Sequence, residues 1–296
     1  MSTSRRTVLA ALAGGALAGC SASTQTTGAQ PASSPSSSPT SAPPSASPSR
    51  TGKAGSPRPA GATRAEILAR YGNAVPHSWG FDAPGVLHRL PAGQRGIALT
   101  FDACGGRGGS GYDQALIDFL RKREVPATLF INSRWIDANP AIFRRLAAEP
   151  LFEIANHGTR HLPLSVTGRS AYGIPGTRGA GEVYDEVAGN RAKLTRLLGS
   201  PPRFFRSGTA YCDDVASRIV TALGERFASF SVNGDGGATF TPEQVRATVG
   251  AAPAGSVVIC HMNHPEGGTA EGIAAAVPRL LASGHTFVRL SDGVRQ

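Results

Sequence analysis

The stretch Leu151-Phe152-Glu153-Ile154-Ala155-Asn156-His157-Gly158-Thr159-Arg160-His161 decides how the rest of the chain is read. Its first half, 151–155, is a short apolar run of the kind that forms a buried strand. Asn156 closes the run, and His157 and His161 follow four residues apart. If the chain curls into a turn after the strand, the two imidazoles can clamp a metal ion. Neutral imidazole is a good ligand for zinc and its first-row neighbours. Taken alone, such a pair could equally sit on a surface loop or hydrogen-bond within a core, so the surrounding pattern has to arbitrate.

Outward from this stretch, strand and helix patterns alternate. Apolar runs at 96–101 and 127–131 precede it, with helical patterns at 112–123 and 138–148 between them. After an insertion rich in Gly, Ser and Arg come a helix at 182–198, a short strand at 203–205 and a helix at 214–223. A strand at 227–232 follows, then a helix starting at Thr241-Pro242, with threonine as cap and proline just inside. A strand at 256–260, a helix at 269–282 and a last strand at 286–290 complete the series. Seven strands with intervening helices predict an α/β fold, an irregular seven-stranded (β/α) barrel of parallel units. In such an architecture chemistry gathers at the carboxyl ends of the strands.

The N-terminal part reads differently. Arg5-Arg6 precede an apolar run ending in Leu17-Ala18-Gly19-Cys20, and that run is too short to span a membrane as a helix. Residues 1–20 resemble a twin-arginine signal with a lipobox, in which Cys20 becomes the lipidated first residue of an exported protein. Residues 21–60 are Ser, Pro, Thr, Ala and Gly with almost no large apolar side chain, a composition expected to form a disordered tether. Residues 61–93 are expected to pack as a lead-in on the domain at 94–294. The net charge is +10, and arginine greatly outnumbers lysine. No zinc-finger spacing, helix-turn-helix or aromatic-plus-basic strand motif accompanies the charge, so nucleic acid is not expected as a partner. An anionic cell envelope accounts for the charge as well. With Cys20 lipidated, Cys104, Cys212 and Cys260 remain, and a Cys104–Cys212 bridge is conceivable.

The predicted strand ends carry Asp102, His157 with His161, Arg206, Asn233-Gly234-Asp235, and His261 with His264. Any one of these has an ordinary alternative as a turn, cap or surface ion pair. Five polar strand ends in succession are harder to dismiss.

In their order these motifs resemble the polysaccharide deacetylases, metal-dependent carbohydrate esterases with a NodB-homology domain. Thr100-Phe101-Asp102 matches the family's Thr-Phe-Asp-Asp except that Ala103 replaces the second aspartate. His157 to His161 matches His-(Ser/Thr)-x-x-His, with Gly158 in the hydroxyl position. Arg206 matches the start of Arg-x-Pro, with Gly208 at the proline. Asp235 is the nearest match to the aspartate that pairs with that arginine, and Ile259-Cys260-His261 matches Leu-x-His. The resemblance implies hydrolysis of an N-acetyl amide, or less often an O-acetyl ester, on a glycan, with peptidoglycan foremost for an exported lipoprotein. It implies a divalent metal on His157 and His161, zinc first, with cobalt, nickel or manganese as alternatives. Asp102 would be the general base, Arg206 held by Asp235 would orient it, and His261 would protonate the leaving amine, with His264 as second choice. A backbone N–H near Thr209 would help hold the oxyanion. Ala103 leaves the third ligand open among Asp102, Asp113 and solvent. A glycan-binding lipoprotein that keeps the fold without full activity is the competing reading, and a basic envelope protein bound to an anionic wall polymer is a third.

Overall fold

The computed structural model describes residues 61–295. The expected signal, Cys20 and the Ser/Pro-rich tether lie outside the described residues. The elements in chain order are α1 (Arg64–Tyr71), β1 (Trp79–Gly80), β2 (Ala98–Ala103), α2 (Gln114–Lys122), β3 (Ala127–Ile131), α3 (Ser133–Ala138), α4 (Pro140–Ala148), β4 (Phe152–Asn156), α5 (Ala180–Leu198), β5 (Phe204–Phe205), β6 (Cys212–Asp213), α6 (Asp214–Ala222), β7 (Arg226–Phe227), β8 (Val232–Asn233), α7 (Pro242–Gly250), β9 (Val257–His261), α8 (Thr269–Ala282) and α9 (Leu290–Gly293).

Seven strands form one parallel sheet in the order β7-β5-β4-β3-β2-β9-β8, a curled half-barrel. The central strands β2 and β3 are buried along their whole length. That is why they read as continuous apolar runs rather than as alternating ones. Successive side chains still point to opposite faces. Leu99, Phe101 and Ala103 pack with Leu116, Ile117, Leu120 and Trp135 in the larger apolar cluster. Ala98 joins Phe130, Ala155, Phe204 and Val257 in another. The same alternation puts Thr100 and Asp102 on the face of Ala98, inside the curl, where both are buried. The inner face is therefore apolar at its base and polar at its carboxyl end.

The helices start where side chains can satisfy the first free N–H groups. Asp113 caps α2 by accepting from the Leu116 N–H, and Asp213 caps α6 by accepting from Ala216. At α7, Thr241 and Gln244 form a capping box with Pro242 in the first turn. Helix α1 adds Ile67 and Tyr71 to a cluster with Val183 and Val187 of α5 and Ile219 of α6. Across the open side of the half-barrel, Leu87 accepts from the Ser229 N–H and donates to the Phe227 carbonyl, and the Leu90 N–H donates to the Gly255 carbonyl.

Two expected strands differ. The run 227–232 breaks into β7 and β8, which lie at opposite edges of the sheet. Between them the Ala228 and Ser229 carbonyls accept from the Arg206 side chain, so these acceptors go to a guanidinium as the chain changes edges. The run 286–290 makes only a bridge from Phe287 to Ile97 before turning into α9. There the Leu290 and Ser291 N–H groups donate to Thr128 Oγ1 and Glu153 Oε2. The strand count of seven thus stands although one expected strand is two and another is none.

Candidate active site

Asp102, at the end of β2, is 2% exposed and faces Arg206, which follows β5 and is fully buried. Arg206 Nη1 donates to Asp102 Oδ1 at 2.6 Å. Its Nη2 donates to Thr100 Oγ1 and to the Ser229 carbonyl, both at 2.9 Å, and its Nε donates to the Ala228 carbonyl at 3.2 Å. The guanidinium lies 4.0 Å from the centroid of the Phe130 ring. Burial pushes the Asp102 carboxyl up, but Arg206, with help from the charged His261, holds it below the usual carboxylate range. The carboxylate is ionised and pre-oriented, as a base must be.

A second pair stands beside the first. Asp102 and His261 are register partners on β2 and β9. His261 Nδ1 lies 3.0 Å from Asp235 Oδ1, and the His261 N–H donates to Asp235 Oδ2 at 2.6 Å. Thr269 Oγ1 and the Gly237 N–H also donate to this buried carboxylate. Burial alone would push His261 down, yet Asp235 raises it well above the ordinary histidine value. Asp235 is held below its own ordinary value by His261 despite burial. His261 is thus kept protonated. The expected pairing of Asp235 with Arg206 is corrected here. Arg206 finds its second acceptor in Thr100 and the β7–β8 connection, and Asp235 charges the histidine instead.

The third constituent comes from β4 and the turn after it. His157 is buried, and its Nδ1 lies 3.0 Å from the Arg206 carbonyl. A carbonyl only accepts, so the proton sits on Nδ1 and Nε2 is left with its lone pair. Burial lowers the basicity of this imidazole and keeps it neutral. Its Nε2 is 3.6 Å from Asp102 Oδ2 and 3.7 Å from Cys104 Sγ. His161, at φ 66°, turns back so that the two rings meet edge to face at 4.8 Å between centroids, and its buried Nε2 has no hydrogen-bond partner among the described residues. An orphaned buried nitrogen beside an imidazole lone pair fits a cation better than any protein partner in reach.

The turn itself is held by Glu186 of α5, which sequence reasoning missed. Its buried carboxylate accepts from the backbone N–H groups of Thr159, Arg160, His161 and Leu162. Gly158 has φ 77°, and a Cβ there would run into Glu186, so the hydroxyl residue expected at this position has no room. The signal was present in the apolar stripe of α5, where an acid sits next to Val187 on the buried side.

Asp102, His261, Gly208, Thr209, Phe230 and Tyr172 line a cavity of about 240 Å³. His161, Cys104 and His261 line an adjoining one. Of the remaining candidates, Asp113 serves as the α2 cap, and His264 pairs with Glu266 on the surface loop at 3.0 Å. Cys104, Cys212 and Cys260 are all free thiols, which rules out the Cys104–Cys212 bridge.

A curled parallel half-barrel with an Asp–Arg pair, an Asp–His pair and clustered metal-ligating atoms at one mouth describes a hydrolase. The polysaccharide deacetylase family model matches residues 89–228. The chain belongs to the polysaccharide deacetylase family, hydrolases of carbon–nitrogen bonds other than peptide bonds. It is 21% identical over 207 residues to the peptidoglycan-N-acetylmuramic acid deacetylase PdaA of Bacillus subtilis, covering 67% of this chain and 71% of that protein. It is 24% identical over 218 residues to a peptidoglycan-N-acetylglucosamine deacetylase of Bacillus cereus, covering 71% and 93%. Among solved structures it is similar to a family pseudoenzyme from Bacillus anthracis, with a TM-score of 0.59 at 18% identity, over 71% of this chain and 69% of that one.

Proposed function

We propose that the protein is an exported deacetylase, tethered to the membrane through lipidated Cys20, that removes N-acetyl groups from a cell-wall glycan, with peptidoglycan the foremost substrate. The observation that carries this reading is the juxtaposition of an ionised Asp102 and a protonated His261 on adjacent strand ends over one cavity. A binding module has no use for a matched acid and base. Asp102 takes the proton from the attacking water, with Arg206 keeping the carboxylate charged and aimed. His261 donates its proton to the departing amine, and Asp235 stabilises the imidazolium beforehand. Thr209, on the cavity wall, offers its backbone N–H to the developing oxyanion. Tyr172 and Phe230 supply apolar faces against which a sugar ring can lie. A divalent cation on His157 and His161, zinc foremost, would add Lewis acidity toward the acyl carbonyl and water.

The substrate class rests on the two peptidoglycan deacetylases named above and on the envelope address read in residues 1–20. The test is acetate release from peptidoglycan and from chitooligosaccharides, with His157→Ala in parallel. Release by the wild type and none by the variant supports the proposal. Glycan binding without acetate release would favour the binding module instead, a reading to which the similarity with a pseudoenzyme lends weight. Tethering is tested by fractionation, since a Cys20→Ala chain that stays with the membrane as the wild type does would overturn it.

A further inference from the structure

A catalytic zinc ordinarily takes three protein ligands, and the two histidines supply two. The position where the family resemblance places the third holds Ala103, whose side chain is fully buried in the apolar cluster with Phe101 and Leu116 and offers no donor atom. Asp113 Oδ1 caps the α2 N-terminus, and the residue is not in the group of clustered ligand atoms that holds the two histidines. Asp102 gives one oxygen to Arg206 at 2.6 Å and is needed ionised and free as the base.

One residue further on, the chain delivers a different donor. Gly105 and Gly106 both take positive φ, 68° and 82°, and turn the chain sharply after Cys104. Cys104 Sγ lies 3.7 Å from His157 Nε2. Bond lengths of about 2.3 Å to sulfur and 2.0–2.1 Å to nitrogen put neighbouring S and N ligands of a tetrahedral zinc about 3.6 Å apart. One ligand atom each from Cys104, His157 and His161 lie within 4.8 Å of one another, the one such group of three among the described residues. The group includes the orphaned, buried His161 Nε2.

We infer that Cys104 Sγ is the third protein ligand, so that the metal centre is Cys–His–His with a thiolate where the family resemblance implies a carboxylate. The inference rests on the deacetylase reading for the presence of a metal and deepens it by naming the ligand set. On binding, the S–H bond breaks, the sulfur lone pair goes to the metal and the proton leaves to solvent. Asp102 stays outside the ligand set and keeps its role as base. A thiolate favours zinc or cobalt over manganese and magnesium, which prefer oxygen.

The test uses the full chain. X-ray absorption on the zinc-loaded protein is expected to show one sulfur at about 2.3 Å beside nitrogen neighbours. The cobalt-loaded protein is expected to show a thiolate-to-cobalt charge-transfer band in the near ultraviolet. Cys104→Ser and Cys104→Asp should abolish that band, while Cys212→Ala and Cys260→Ala keep it. Cys104→Ala should weaken zinc binding at least about 100-fold, since losing even a hydrogen-bond partner of a ligand costs about 10–100-fold. Circular dichroism checks that each variant is folded. A zinc shell without sulfur, or Cys104→Ala binding zinc as tightly as the wild type while His157→Ala loses it, overturns the thiolate and leaves the deacetylase reading standing. Undiminished zinc binding by His157→Ala would overturn both.

Discussion

Replacing Arg206 by methionine tests whether the site is built around a buried ion pair. Methionine keeps an unbranched apolar stem but removes the guanidinium, and with it the charge and the contact over the Phe130 ring. The pair is 2.6 Å apart and almost wholly out of water, with side chains 0% and 3% exposed. At an effective dielectric of about 20 the Coulomb attraction is on the order of 6 kcal/mol before desolvation is counted. Removing one partner of a buried pair typically costs about 3–5 kcal/mol, because the other charge remains buried and alone. The Ala228 and Ser229 carbonyls also lose their donors, which adds about 1 kcal/mol or more. Against a total stability of about 5–15 kcal/mol for a domain, Arg206→Met should be severely destabilised. Adding Asp102→Asn removes the stranded charge, so the double variant should recover about 1–3 kcal/mol relative to the sum of the two single changes. Urea unfolding at neutral pH with a chelator present reads this without a metal contribution. A loss under about 1 kcal/mol for Arg206→Met, or strict additivity in the double variant, would refute the idea that Asp102 depends on Arg206 for its charge.

Three further outcomes follow from the same structure. Asp235→Asn withdraws the carboxylate that raises His261, so the acid should lose its proton at lower pH and the alkaline limb of the rate profile should move down, with kcat falling by about 10²–10⁴; an unmoved limb would exclude His261 as the acid. Ala103→Asp should not create a ligand, since the side chain enters the apolar cluster with Phe101 and Leu116; it should cost on the order of 3 kcal/mol, read by thermal unfolding, and tighter zinc binding with no loss of stability would count against this. Glu153 is raised by burial, so the folded state holds its proton more firmly than the unfolded chain does, and its contribution to stability is lost as pH rises from the ordinary glutamate range through the raised folded value. Glu153→Gln, which can still accept from Thr128 and Ser291, should remove that slope and be the more stable form at neutral pH, as parallel unfolding curves across pH would show.

The chain's own pattern determined the kind of fold and most of the site. Continuous apolar runs bounded by Gly, Asp and Asn mark doubly buried strands, and a strand written this way can only be central. The helix at Thr241 was legible because capping is local chemistry, decided within four residues. Asp102, His157, His161, Arg206, Asp235 and His261 were legible because each ends a recognisable run, and in a parallel sheet all strands end at the same face. What tertiary structure decided is who partners whom. Asp235 pairs with His261 rather than Arg206 because β8 borders β9, a neighbour relation that strand order sets and sequence order does not. Glu186 lies 25 residues from His161 along the chain yet accepts its N–H, an approach that exists only once α5 packs on the sheet. Ala103 and Cys104 differ by a single step along the backbone. The pleat turns the first into the apolar layer and the second to the opposite face, where the chain turns at Gly105 and Gly106, so alternation at the strand end decides which of two adjacent residues stands beside the histidines.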